Sequence, residues 1–181
     1  MLGGQEGGWV LSAFPKRKSF GFSLVELMVG IVIVGVLVTL AMPSFQDVLR
    51  NAEVRNAAES ITNGMQRARA EAVARNTPVQ FVLGAGSSWT VSVVSDGVQI
   101  DKRDSSEGSR NVTVEALAAD STPATTVTFN SLGQVTDAAP LWQVNLAAVG
   151  ASQNLRITIG AGGNARMCDP SLTAGSSPRA C

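Results

Sequence analysis

GFSLVELMVGIVIVGVLVTLAMP, residues 21–43, is an apolar run with one acid, Glu26, near its head. Residues 22–42 contain that single charge and 20 uncharged residues, mostly Val, Leu, Ile and Met. As a helix rising about 1.5 Å per residue they span about 30 Å, the thickness of a bilayer core. Lys16, Arg17 and Lys18 lie on the N-terminal flank and predict that this end stays in the cytoplasm. A signal anchor satisfies these facts, as does a secretory signal with Thr39-Leu40-Ala41 as its small-residue cleavage site. Glu26 fits neither. Unless it reaches interfacial water, a carboxylate inside the segment costs on the order of 2.5–3.5 kcal/mol on insertion scales, so its presence asks for a function.

Around this run the composition narrows the field. The chain has 181 residues, enough for one globular domain of roughly 100–150 residues plus an N-terminal appendage. Formal charge is zero, from 14 basic and 14 acidic residues. Removing residues 1–21 takes three bases and one acid, leaving 11 basic and 13 acidic residues, net −2. A mildly acidic domain does not read as a bulk nucleic-acid binder. There is no histidine, which excludes Ser-His-Asp and Cys-His catalysis and every His-ligated metal site. No phosphate-loop motif or metal-ligand cluster is found, so no enzyme activity, metal or cofactor is expected. The two cysteines, Cys168 and Cys181, are too few for a closed zinc site. The N-terminal segment implies export, so a disulfide between them is expected.

After Pro43 a helical pattern continues over 44–77, until Asn76-Thr77-Pro78 stops it. Two apolar stripes separate at 100° per residue. Phe45, Val48, Leu49 and Ala52 share one face, which continues the membrane surface and suits contact with other subunits. Val54, Ala57, Ala58, Ile61, Met65, Ala68 and Ala72 lie on roughly the opposite face and are expected to dock on a sheet. Arg55, Glu59, Arg67 and Glu71 mix both signs on the polar side, so Arg67, Arg69 and Arg75 read as part of a solvated, salt-bridged surface.

From residue 78 to 181 the texture changes to short β-rich runs broken by Gly, Ser, Asn and Asp. Strands are predicted at 79–83, 89–94, 98–102, 111–116, 126–130, 134–136, 142–146 and 155–159. Gly160, Gly162 and Gly163 suggest a turn into a last strand at 165–168. Repeated short strands with no second helix argue for antiparallel sheets packed on the one long helix. Trp89, Phe81, Phe129 and Trp142 are assigned to the core or to sheet packing rather than to a ligand site. The 95–124 stretch matches no pattern.

These residues carry a resemblance. Lys16-Arg17-Lys18, Gly21 and Phe22-Ser23-Leu24-Val25-Glu26-Leu27 resemble the class III signal of type IV pilins and pseudopilins. MQRARAEAVARNTPVQ, VTFNSLGQVT and a late strand leading to Cys are similar to the GspH/FimT/FimU branch of minor pilins and minor pseudopilins. The resemblance implies an α+β pilin-like fold: a leader at 1–21, a transmembrane and filament-core helix at 22–43, an amphipathic second half at 44–77, and a β-rich domain at 78–181 with a C-terminal disulfide loop. It also implies that a prepilin peptidase/N-methyltransferase cuts between Gly21 and Phe22 and methylates the new Phe22 amine. Pro43 sits where the family often has a helix kink. Glu26 would pair with the N-terminal ammonium of a neighbouring subunit, a buried ion pair that sets register.

Three roles stay open at this point. The first is a minor pilin of the type IV pilus that helps initiate assembly at the tip, with other minor and major pilins as partners. It would start in the bacterial inner membrane, single-pass, with its domain in the periplasm. The second is a FimT-like DNA receptor for natural transformation. Such proteins use a C-terminal Gly-Arg-x-Arg element, and here the comparable residues are Gly163-Asn164-Ala165-Arg166, with one arginine absent. Arg156, Arg166 and Arg179 are the candidates for phosphate contact, but fewer arginines neutralise fewer phosphates, and no aromatic residue lies in the tail to stack a base. DNA is therefore not the favoured partner. The third role is a GspH-like minor pseudopilin of type II secretion.

Overall fold

The structure, a computed structural model, describes residues 21–181. The expected leader, with Lys16–Lys18, lies outside the described residues except for Gly21.

Helix α1 runs over Leu24–Arg75, 52 residues. Its start is set by Ser23, whose hydroxyl accepts the Glu26 backbone N–H at 3.2 Å, the bond of an N-cap. Its end is a Schellman motif. Asn76 takes a left-handed conformation (φ 49°), the Thr77 N–H bonds the Ala72 carbonyl at 3.2 Å and the Asn76 N–H bonds that of Val73 at 3.3 Å. Helical geometry thus stops at Arg75, two residues before the expected limit, and Pro78 follows as the first residue that cannot donate.

The first part of α1 is long and apolar enough to cross a membrane, and its side chains are exposed. Further along, the two expected stripes part company. Phe45, Val48 and Leu49 remain exposed, whereas Val54, Ala57, Ala58, Ile61, Met65, Ala68 and Ala72 are fully buried or within a percent of it. The small residues allow close approach of helix to sheet. At Gly64 a Cβ would lie 2.9 Å from ring atoms of both Phe81 and Trp89, so only glycine fits there.

Eight strands follow: β1 Val79–Leu83, β2 Trp89–Val93, β3 Gln99–Arg103, β4 Val112–Leu117, β5 Thr126–Phe129, β6 Gln143–Ala148, β7 Leu155–Ile159 and β8 Ala165–Cys168. They form two antiparallel four-stranded sheets, ordered β3-β2-β1-β5 and β4-β6-β7-β8. Alternation sets which face is buried: Val79, Phe81 and Leu83 in β1 and Val144, Leu146 and Ala148 in β6 point inward. Phe81 stands opposite Val91 and Val127, and Ile157 opposite Met167. Backbone bonds extend the ladders at their ends, Leu83 N–H to Thr125 O beside the β1–β5 pair and Trp142 N–H to Leu117 O beside the β4–β6 pair, both at 2.8 Å. The result is the expected α+β arrangement of one long helix with antiparallel sheets.

Two expectations are corrected. The 134–136 segment is not a full strand. It makes a single bridge, Phe129 to Val135, because the outward N–H of Thr128 donates to the Asp137 carboxylate and ends the ladder. Trp142 is not a core residue but is 40% exposed. Its backbone, with the N–H on Leu117 and the carbonyl accepting from Ile159 at 2.8 Å, is what the fold uses.

The outer strands are protected. On β3 the Asp101 carboxylate accepts the Lys102 N–H at 2.8 Å. Beside β8 the tail folds back, with the Asp169 N–H on the Arg179 carbonyl at 2.6 Å and a parallel bridge from Asp169 to Ala180.

Candidate functional site

The N-terminal site consists of Gly21 and Phe22 in extended chain, then the capped helix start. Phe22 is 83% exposed. Glu26 is exposed among Leu27, Gly30 and Ile31. Ser23-Leu24-Val25-Glu26 has capping-box spacing, a signal that reading the run as a membrane segment passes over. An acid in the first turn also faces the positive end of the helix dipole. Glu26 is therefore tolerated at the head of the helix for a local reason, and its exposed carboxylate can still accept a cation from outside. Further along, α1 continues through position 43.

The second site is the C-terminal tail. Cys168 and Cys181 form a disulfide that closes residues 169–180 into a loop. The Asp169 Oδ1 accepts the Ser171 hydroxyl at 2.6 Å and its N–H at 2.9 Å. These two bonds, the hydroxyl first, hold its carboxyl below the usual carboxylate range, with Arg179 adding to the effect. Turn geometry before β8 follows from Gly163, which has φ 74° and packs against the Gly133 carbonyl.

The three arginines do not converge as a phosphate cradle. Arg166 is turned onto the tail, its Nη2 donating to the carbonyls of Pro178 and Ala180, each at 3.0 Å. Arg156 belongs to a cross-strand row. Its Nε donates to Asn145 Oδ1 at 2.7 Å, and Asn145 Nδ2 donates to Glu115 at 2.9 Å, along the register Glu115–Asn145–Arg156. Arg179 lies exposed in the loop. On the helix, Arg67 and Arg75 pair with Glu71 at 3.4 and 2.7 Å, and Arg55 with Glu59 at 2.8 Å. Arg69 instead donates to the Gly133 carbonyl at 3.1 Å.

A third feature had no signal in the sequence. Asn51 holds the β6–β7 turn against α1: its Oδ1 accepts the N–H groups of Ser152 and Gln153 at 3.0 and 3.1 Å, and its Nδ2 donates to the Ser152 hydroxyl at 2.9 Å.

A capped apolar helix that ends as one wall of a two-sheet domain defines a subunit of pilin type. The family described as "Type II transport protein GspH" matches residues 57–169, and the "Prokaryotic N-terminal methylation motif" matches residues 16–42. The chain belongs to the GspH family. Fimbrial protein EcpB of Eikenella corrodens is 33% identical over 86 residues, 48% of this chain and 47% of EcpB, so the chain spans about half the length of this curated relative. Among solved structures, the type IV minor pilin FimU of Pseudomonas aeruginosa aligns at TM-score 0.49 and 19% identity, over 71% of this chain and 95% of FimU. The minor pseudopilin EpsH from the type 2 secretion system of Vibrio cholerae aligns at 0.48 and 14%, over 66% and 99%.

Proposed function

We propose that this chain is a minor pilin of the type IV pilus that helps prime filament assembly at the tip. A prepilin peptidase cuts between Gly21 and Phe22 on the cytoplasmic side and the new Phe22 amine is methylated. The protein then waits in the inner membrane with residues 44–181 on the periplasmic side. On assembly, Glu26 accepts the Phe22 ammonium of a neighbouring subunit, and Pro43 is the helix kink. The observation that carries this reading is Glu26, the single carboxylate in the exposed apolar first part of α1, inside the matched methylation motif. A charge there is costly for a lone protomer and is compensated once a cation arrives. The relationship to a fimbrial protein supports the pilus as the assembly.

A second reading is favoured by the family's own description, which refers to type II transport. The same helix and processing would then serve a pseudopilus. DNA reception has less support, because Arg166 and Arg156 already bond within the fold.

Mass spectrometry of the mature protein tests the processing: a start at methylated Phe22 is expected, and an uncut chain or a start at Met42 refutes it. Deleting the gene then separates the assemblies. Loss of surface pili with secretion intact supports the first reading, and the reverse supports the second. Replacing Glu26 with Val is expected to leave membrane insertion intact and to abolish complementation of that deletion.

A further inference from the structure

The second sheet has a direction along α1. At one end Asn51 holds Ser152 and Gln153, and Glu53 accepts the Asn111 amide at 3.0 Å. At the other end Arg69 holds the Gly133 carbonyl, and the Val135 N–H reaches the Ala161 carbonyl at 3.2 Å. Asn51 and Arg69 are about 27 Å apart along the helix, so β7 climbs from its N-terminal side toward its C-terminal side. The β6–β7 turn therefore lies at the end of the sheet that faces back toward Met42.

The Ala151 N–H closes that turn on the Ala148 carbonyl at 3.0 Å, and Gly150 takes φ 81°. Val149 and Gly150 are its tip. Turn tips favour Gly, Asn, Asp, Ser and Pro, yet Val149 is 92% exposed, more than any other large apolar side chain among the described residues. Residues 138–155 carry no charge. The charges at this end cancel: Arg50 pairs with Glu53 at 3.4 Å, and exposed Arg110 is offset by exposed Asp47. An apolar point without a net field suits a zwitterionic lipid surface better than an ionic partner.

Distance decides what the tip meets. Asn51 comes nine residues after Met42, the end of the apolar run, which is about 13 Å of helix. The interfacial layer of a bilayer takes up about 5–7 Å of that. Residues 149–151 hang beyond Ser152 and can span up to about 10 Å, enough to close the rest. Phe45, Val48 and Leu49 are exposed as well, and carry the apolar surface of the helix to within two residues of Asn51.

We propose that the β6–β7 turn rests on the phospholipid surface of the membrane, with the Val149 side chain among the headgroups and Asn51 fixing its height. The inference rests on the membrane-stored subunit of the proposed function and adds the face that the domain turns to the lipid. One valine is a weak contact, but the helix tethers it beside the surface, so its effective concentration there is high.

The test reconstitutes the full-length chain in phosphatidylcholine vesicles, with a diazirine amino acid at Val34 in the apolar run, at Val149, or at Leu132, which is exposed at the opposite end of the domain. Lipid adducts are expected from Val34 and Val149 and not from Leu132. A helical insertion of two turns after Asp47 keeps the helix phase and lifts the domain by about 10 Å. It should abolish the Val149 adducts and spare those of Val34. Lipid adducts from Val34 alone overturn the docked turn and leave the membrane reading standing. So do capture of a second copy of the chain in place of lipid from Val149, equal lipid adducts from Val149 and Leu132, and Val149 adducts that survive the insertion. No lipid adduct from Val34 overturns both.

Discussion

The Trp89 indole N–H donates to the Ser60 hydroxyl at 2.8 Å, and both groups are buried. This bond ties α1 to β2 in the apolar layer. The indole ring also packs on Phe81, with centroids 5.8 Å apart.

Ser60→Ala leaves that N–H without a partner, and the penalty for an orphaned buried donor is about 1–3 kcal/mol. Trp89→Phe removes the donor along with some packing. The double variant should be less destabilised than the sum of the two singles, because it leaves no orphan. Denaturant titration in detergent micelles measures all three, and strict additivity would show that the bond contributes nothing.

Gly64→Ala meets two aromatic rings at once, with contacts of 2.9 Å to each. Neither ring is the loose end of a flexible chain, so the helix must lift from the sheet. Overpacking of this kind costs about 1–3 kcal/mol. The higher helix propensity of alanine offsets at most about 1 kcal/mol of it. A melting temperature at or above the parent's contradicts this account.

Arg166 binds the tail rather than facing outward. Arg166→Ala should lower stability by about 1 kcal/mol through loss of its two carbonyl contacts, even with the disulfide intact. Closing the 169–180 loop is worth about 3 kcal/mol at most by loop entropy, so reduction should have the larger effect. Calorimetry of oxidised and reduced protein, with and without the substitution, ranks the two. If Arg166→Ala shifts neither transition, the clamp is idle.

Acid should loosen the same tail. The folded carboxyl of Asp169 titrates below its ordinary value of 3.8, chiefly through the Ser171 hydroxyl and N–H. Asp120, held by Thr122, and Asp104, held by Ser106, behave alike. A depressed folded value means that the stabilisation is fully present above 3.8 and fades as pH falls through the lower folded value. Hydrogen exchange across 169–180 should therefore accelerate below about pH 4, the usual carboxylate range. Asp169→Asn should flatten that dependence, and an unchanged profile argues against it.

Much of this is legible in the sequence because its signals are periodic. Seven buried helix positions at helical spacing and alternation in β1 and β6 leave few choices of face. Gly-rich turns place β7 and β8 to the residue. What is illegible depends on partners distant in the chain. Nothing about Asn51 announces that it will hold Ser152, and nothing about Arg166 announces Ala180. Trp142 reads as core because aromatic residues usually are, yet the fold engages its main chain. At 134–136 alternation is present, but the Asp137 carboxylate outcompetes a second rung of the ladder. For Glu26, the cost in lipid is plain from the sequence while the Ser23 cap beside it is not, since a capping box and a membrane entry begin with the same residues.

The guarded strand edges have a consequence for crowding. An open β-edge invites pairing with a second chain wherever copies meet. With the Lys102 amide occupied by Asp101, β8 flanked by its own tail and the Thr128 edge stopped by Asp137, these edges are blunted against joining a neighbour's sheet. On the proposed function, copies that share a membrane can sit in contact without their sheets joining.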